Sequence, residues 1–335
     1  MTNSKKMMLG NYPKDLKKNK KIMLYLFIFG LLLLGVFYQL YGIYSHANEY
    51  GRTGKLIDVN GVALHLYTSG SSSIPLVFTP TVGAASPYTA AYPLTSQIPE
   101  TVSIGIYDKP GYGWSDLTKS PRDIDTITAE IHTLLEQANY TTPPILVAHS
   151  LGSLEVLRYA QLYPDEVSGI VLIDGAAPEF CSSFNNIMIV ESFLTSFLRN
   201  TGILRLTRHT DSIQKILNPN PKLPDELKNI NQGISLEKLW NRNVIEEKLK
   251  MQSNAKIILE GGTLGDIPLR IITSKANPYG NWNKTQSDML KLSSDSIQLF
   301  IDGSVNYIEY EDTAVILDVI EELVTSIEEK KLNEY

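Results

Sequence analysis

The sequence predicts an α/β fold: a mainly parallel eight-stranded sheet with a helical insertion, carried behind one apolar helix. Three observations lead there. Short runs rich in β-branched residues alternate with runs of helical period, the pattern of a parallel sheet covered on both faces. The alternation breaks once, over about residues 176–265, where helix-like segments interrupted by Pro and Asn replace strands. Residues 22–44 carry no charge.

Composition fits this frame. A chain of 335 residues with 43% apolar and 20% charged residues is globular. A single cysteine, Cys181, excludes an internal disulfide framework and a cysteine-based zinc site. Residues 1–21 hold seven lysines against one acid, Asp15, while the remainder carries 23 basic and 35 acidic residues, a balance of −12. An acidic body repels nucleic acid, so no DNA or RNA partner is expected.

In chain order, residues 1–21 form a basic cytoplasmic segment and 22–44 a single transmembrane helix. Crossing the hydrocarbon core takes about 20 apolar residues, and Gln39 is the one strongly polar side chain in the run. The lysines before it favour a cytoplasmic N-terminus and an extracytoplasmic body at the cell membrane. Signal-peptide cleavage is the rival reading, since Ser45-His46-Ala47 has the small-x-small form, but the apolar run exceeds a signal h-region. Residues 45–54 read as a polar stalk and 55–328 as the folded domain. Runs at 55–59 and 62–67 flank Asn60-Gly61 as a hairpin. Further strands are expected at 75–79, 102–107, 145–148, 169–173, 269–273 and 297–301. Helices are expected at 124–138, 153–162 and 313–327, and residues 329–335 read as a charged tail. In the insertion, Phe184, Ile187, Met188, Ile189, Val190, Phe193 and Phe197 read first as a core stripe and second as a lining for an apolar substrate.

The chemistry concentrates in "PPILVAHSLGS" at 143–153. A serine between a buried strand and a helix has its hydroxyl raised at the C-terminal edge of the sheet, where α/β proteins bind ligands. Ala148 and Gly152, two residues either side of Ser150, let such a turn close without clashes. The Leu151 N–H opens the following helix and is aimed to stabilise an oxyanion.

With "YDKPGYGWSD" at 107–116 and "YPDEVSGIVLIDGAAPE" at 163–179, the chain resembles the α/β-hydrolase family. It is closest to the branch reading roughly Y-D-R-x-G-Y-G-W-S, then G-H-S-L-G-G. The resemblance covers about residues 55–328 and implies a helical cap over the site, at about 176–265. It also implies hydrolysis of an ester, amide or related bond of a small-molecule or acyl-bearing substrate, without metal or organic cofactor. It assigns Ser150 as nucleophile, with Leu151 and Val82 as oxyanion donors. In "TPTVGAA" at 79–85, Thr81 stands where the family has glycine.

The largest departure is at the base. The family's histidine falls in a string like G-S-G-H-Y-I; here the string is 303–308 and Asn306 holds that position. An amide does not take a proton from serine at neutral pH, and losing the base of such a triad costs on the order of 10⁶ in turnover. Of the histidines present, His65 alternates with strand leucines as a structural residue, His132 lies on a helix, and His149 is the x of the elbow. His46 lies in the stalk. His209, in the insertion, is the one candidate substitute base, against a solvated or structural role. Asp174, ending the strand beside that of Ser150, is the candidate acid, against a role as helix cap. Two functions stay open: a serine hydrolase, or a hydrolase-fold protein that binds without catalysing.

Overall fold

The computed structural model describes residues 14–49, 51–79, 81–184, 189–220, 222–302 and 312–333. The first helix, α1 (Lys14–Glu49), precedes a hairpin of β1 (Lys55–Val59) and β2 (Val62–Ser69). Asn60 and Gly61 both adopt positive φ, +55° and +83°, the backbone that a two-residue hairpin turn requires. Then follow β3 (Leu76–Thr79), α2 (Pro87–Thr95), β4 (Ile104–Tyr107), α3 (Ile124–Gln137), β5 (Ile145–His149), α4 (Ser153–Leu162) and β6 (Gly169–Ile173). The helical insertion comprises α5 (Pro178–Ser183), α6 (Ile189–Asn200), α7 (Ile203–Leu206), α8 (Asp211–Leu217), α9 (Asp225–Lys238) and α10 (Arg242–Glu260). The chain returns to the sheet through β7 (Leu269–Ser274), α11 (Trp282–Asp288) and β8 (Ser296–Ile301), and ends in α12 (Thr313–Asn333).

The eight strands form one sheet in the order β1-β2-β4-β3-β5-β6-β7-β8. The β1–β2 and β2–β4 pairs are antiparallel and the rest parallel. Strand residues alternate between two cores, as a period of two demands. Leu146, Leu172 and Ile271 face α3, α4 and α10, whereas Val147, Val171 and Ile272 face α2 and α12. Caps fix the helix starts: Asp123 accepts from Thr126 N at 3.0 Å, and Asn241 accepts from Asn243 N at 2.9 Å.

Three expectations change. The stretch read as a stalk is helical through Glu49, because nothing breaks α1 before Gly51 and Gly54, the latter at φ +77°. The tail read as merely charged continues α12 to Asn333, its Glu and Lys being good helix formers. Of the supposed core stripe of the insertion, Phe184 packs against the main core, but the part on α6 is turned outward: Val190, Phe193 and Phe197 are exposed, while Ser192, Thr195 and Arg199 of the same helix are buried. Ile187 and Met188 lie outside the described residues.

The helix α1 does not stand apart from the domain but packs against α6, α7 and α9. Gly35 and Gly202 make the close approach, since a Cβ on Gly35 would lie 2.2 Å from Thr201 O and one on Gly202 2.2 Å from Gly35 O. Gln39 is buried there; its Oε1 accepts from Arg205 Nε at 2.9 Å and its Nε2 donates to Leu236 O. The one polar side chain of the apolar run therefore has protein partners.

Candidate active site

Ser150 follows β5 directly and opens the 3₁₀ turn Ser150–Gly152 that leads into α4. Its φ is +51°, in the left-handed region that a non-glycine residue occupies only under constraint. The constraint is visible: Ala176 N donates to Ser150 O at 2.9 Å, and Ser153 Oγ donates to Ala176 O at 2.6 Å. The elbow is thus bolted to the turn after the neighbouring strand. Among the described residues, the Ser150 hydroxyl has no hydrogen-bond partner.

Asp174 shares that edge, because β5 and β6 pair His149 with Ile173. It is buried at φ +43°. Its carboxylate accepts from Trp282 Nε1 at 2.7 Å, Asn277 Nδ2 at 3.0 Å and Ser274 N at 3.2 Å. Three donors satisfy the buried carboxyl group and fix its orientation. Gln286, on α11, adds a bond to Gly175 O. Sequence reading found Asp174 but not Asn277, Trp282 or Gln286, which carry no local signature.

The oxyanion side is equally specific. Thr81 O accepts from Ala84 N at 3.2 Å, closing a turn in which Gly83, at φ +95°, takes the positive angle. The β-branched Thr81 and Val82 are relieved of it. Among the described residues, neither Val82 N–H nor Leu151 N–H donates to another group. The Val82 and Leu151 side chains border one small hollow, about 300 Å³ including its mouth. Over the elbow, Thr81, Gly83 and His149 face Ile216, Leu223 and Leu239 of the insertion across a cleft of about 780 Å³ including its mouth. A mostly apolar cleft with a few polar groups suits an organic substrate.

Behind the hollow lies a buried charge cluster that sequence reading missed. Lys109 Nζ donates to Glu155 of α4 and to Glu247 of α10, and Tyr112 Oη donates to Glu247 Oε2 at 3.1 Å. Burial pushes the Glu155 carboxyl up to about 8, against the pull of Lys109. Burial alone would lower Lys109; the two carboxylates outweigh it and hold the ammonium above its usual range.

The other candidates fall elsewhere. His65 is fully buried, its Nδ1 2.7 Å from Asp108 Oδ2 and its Nε2 on Thr53 O. His132 pairs with Glu166 at 2.9 Å and stacks on Tyr163. His209 is exposed on the turn between α7 and α8, next to Arg208, which bonds Tyr38 Oη of α1 at 3.0 Å. Asn306 lies outside the described residues.

A parallel sheet with a strained serine at the elbow and a helical insertion above it defines the α/β-hydrolase fold, and the chain is a protein of that fold. Residues 83–248 match the family model described as alpha/beta hydrolase fold. Uncharacterized protein YbdG of Bacillus subtilis is 27% identical over 203 residues, 60% of this chain and 62% of that one, so the chain spans under two thirds of that relative's length. Among solved structures, Cfl2 from Burkholderia cenocepacia superposes with a TM-score of 0.62 at 17% identity, over 80% of this chain and 94% of that one. The enol-lactonase from Burkholderia xenovorans does so at 0.58 and 15%, over 81% and 99%.

Proposed function

We propose that the protein is a membrane-anchored serine hydrolase that cleaves an ester, amide or related bond in a small-molecule or acyl-bearing substrate. Ser150 is the nucleophile, Asp174 the acid, and the Leu151 and Val82 N–H groups stabilise the tetrahedral oxyanion. Each such donor contributes about 3–4 kcal/mol in comparable sites. The observation that carries this reading is the φ of +51° at Ser150, whose carbonyl is held by Ala176 N, while among the described residues the Val82 and Leu151 N–H groups have no acceptor. Strain of that kind is kept where it presents a reacting atom. The substrate class is in keeping with the enol-lactonase among the structural neighbours. Residues 22–44 are the anchor, with the N-terminus cytoplasmic and the domain outside.

A second reading has its own observation, Asn306 at the family's histidine position. Under it the protein binds a ligand at the same cleft without turning it over. A fluorophosphonate probe separates the two. The hydrolase reading expects covalent labelling of the full-length protein in detergent, abolished in Ser150→Ala and retained in His209→Ala if that exposed histidine is not the base. Absence of labelling at neutral and mildly alkaline pH sinks it. In that case, esterase activity gained by Asn306→His identifies a preorganised site that has lost only its base.

A further inference from the structure

We propose that the outer face of α6 and α7 is a membrane-docking surface, set among the acyl chains of the outer leaflet beside the anchor helix. The proposal rests on the reading of 22–44 as a membrane span.

The first observation is the inverted helix. A surface helix of a soluble protein turns its apolar stripe inward and its polar face to water. In α6 much of this order is reversed: Ser192, Thr195 and Arg199 are buried, whereas Phe193 and Phe197 are each 52% exposed and Val190 71%, with Leu198 packing inward and Glu191 exposed at the margin of the face. The apolar face continues through Leu194, Ile203 and Leu206. Six large apolar side chains clustered on two adjoining helices form a patch that is costly in water and stable against hydrocarbon.

The second observation says which surface covers it. The same helices pack on α1, and the contact sits at a depth that can be counted. The last lysine before the span is Lys21. Gly35, which touches Thr201 and Gly202 at the α6–α7 corner, lies about 20 Å along the axis from Ile22 at 1.5 Å per residue. A hydrocarbon core of about 30 Å then extends roughly 10 Å beyond that corner. Interfacial helices bury their apolar faces by about 5–10 Å, so the depth and the inverted face agree. By the same count Tyr38 and Gln39 lie about 24–26 Å along the span, in the last few ångströms of the outer leaflet's hydrocarbon, and each has a polar protein partner there: Gln39 with Arg205, and Tyr38 with Arg208. Tyrosine is enriched at this boundary, and arginines near the end of a span pair with polar groups or reach to the interface. A soluble partner protein would have to enter the leaflet to reach this corner.

The consequence for function is direct. Helix α8 follows this face after one turn, and its Ile216 lines the cleft over the elbow. The cleft would then open close to the lipid surface, where an acyl-bearing substrate resides.

Nitroxide labels test this in the full-length protein reconstituted into phosphatidylcholine–phosphatidylglycerol vesicles. Labels are placed singly at F193C, F197C and L206C, with F29C reporting the span and E321C reporting water. All five positions are exposed and the native Cys181 is buried, so folding and labelling are both protected. The expected result is collision with oxygen favoured and collision with an aqueous nickel chelate reduced several-fold at 193, 197 and 206, relative to 321. If these three match the water control while F29C is shielded, the docking face is wrong and the anchor stands. If F29C is also open to the nickel chelate, the anchor reading itself fails.

Discussion

Asp174 is buried among donors drawn from the far side of the chain, and the Trp282 indole is the shortest of them. Trp282→Phe keeps most of the ring packing but leaves Asp174 Oδ1 with one donor fewer in a dry site. Hydrogen bonds to charged groups are worth about 1.5–3 kcal/mol, so urea unfolding of the detergent-solubilised protein should show a loss of that size. A change below about 0.5 kcal/mol, the usual span of a neutral surface substitution, would mean that Asp174 draws its stability from the other two donors. Ser150 was legible from sequence because its elbow is local, with strand, small residues and helix inside eleven positions. The partners of Asp174 were not, because Trp282 lies 108 residues further along and only the β6–β7 pairing brings it close. The buried Lys109 had the same cause: Glu155 and Glu247 lie 46 and 138 residues away.

At the scale of elements, periodicity located the strands and helices but not the side to which a helix turns. The 190s carry apolar residues at helical spacing, and such spacing says only that one face is apolar. It does not say whether that face meets a core or the exterior, and of the stripe read as core Phe184 packs inward whereas Val190, Phe193 and Phe197 are exposed. The glycines of α1 were similarly silent, since a glycine in an apolar helix gains meaning only from what approaches it. Gly35→Leu tests that approach. An added side chain meets the Thr201 carbonyl, which is backbone and has little room to give. Leucine is a good helix former, so α1 itself should persist, yet α7 should detach from it. Hydrogen exchange of the 203–206 amides should then speed up relative to the parent, while exchange in β5 and β6 stays unchanged. Equal exchange at 203–206 in both proteins would place the stability of α7 in its contacts with the domain rather than with α1.

For the whole molecule, the joint between sheet and insertion is polar as well as apolar. Helix α10 contributes Met251, Ala255 and Ile258 to the main core. It also carries Asn254, which accepts from Ile124 N at 3.0 Å, and Asn243, which accepts from Thr118 N at 3.1 Å. Lys109 sits at the centre of this joint, bridging Glu155 on α4 to Glu247 on α10. Replacing it by methionine would leave the buried Glu155 and Glu247 without their shared cation, and breaking a buried ion pair typically costs about 3–5 kcal/mol. Lys109→Met should therefore unfold at markedly lower temperature, and adding Glu155→Gln and Glu247→Gln should restore much of the loss. If the triple variant is no more stable than the single one, the penalty is packing rather than charge.

The same cluster sets a pH dependence whose sign follows from its composition. One ammonium facing two carboxylates leaves a net negative charge in the interior, and burial answers by keeping a proton on Glu155 up to about 8. In the unfolded chain that carboxyl ionises near its ordinary value of 4.5. Between those two values the folded state holds a proton that the unfolded state has released, so the unfolded state gains relative to it as pH rises. Stability from this group is thus highest below about 4.5 and falls progressively towards about 8, beyond which it levels off. Lys109, held above its ordinary value, adds stability that is lost only in strong alkali, outside that window. Glu155→Gln supplies a permanently neutral partner of the same shape, so its unfolding temperature should lose most of the decline that the parent shows from mildly acidic to mildly alkaline pH. Melting curves of both proteins across that range decide the matter. Parallel declines would show that Glu155 is already ionised in the fold, and that Lys109 holds two full carboxylates at the seam where the insertion meets the sheet.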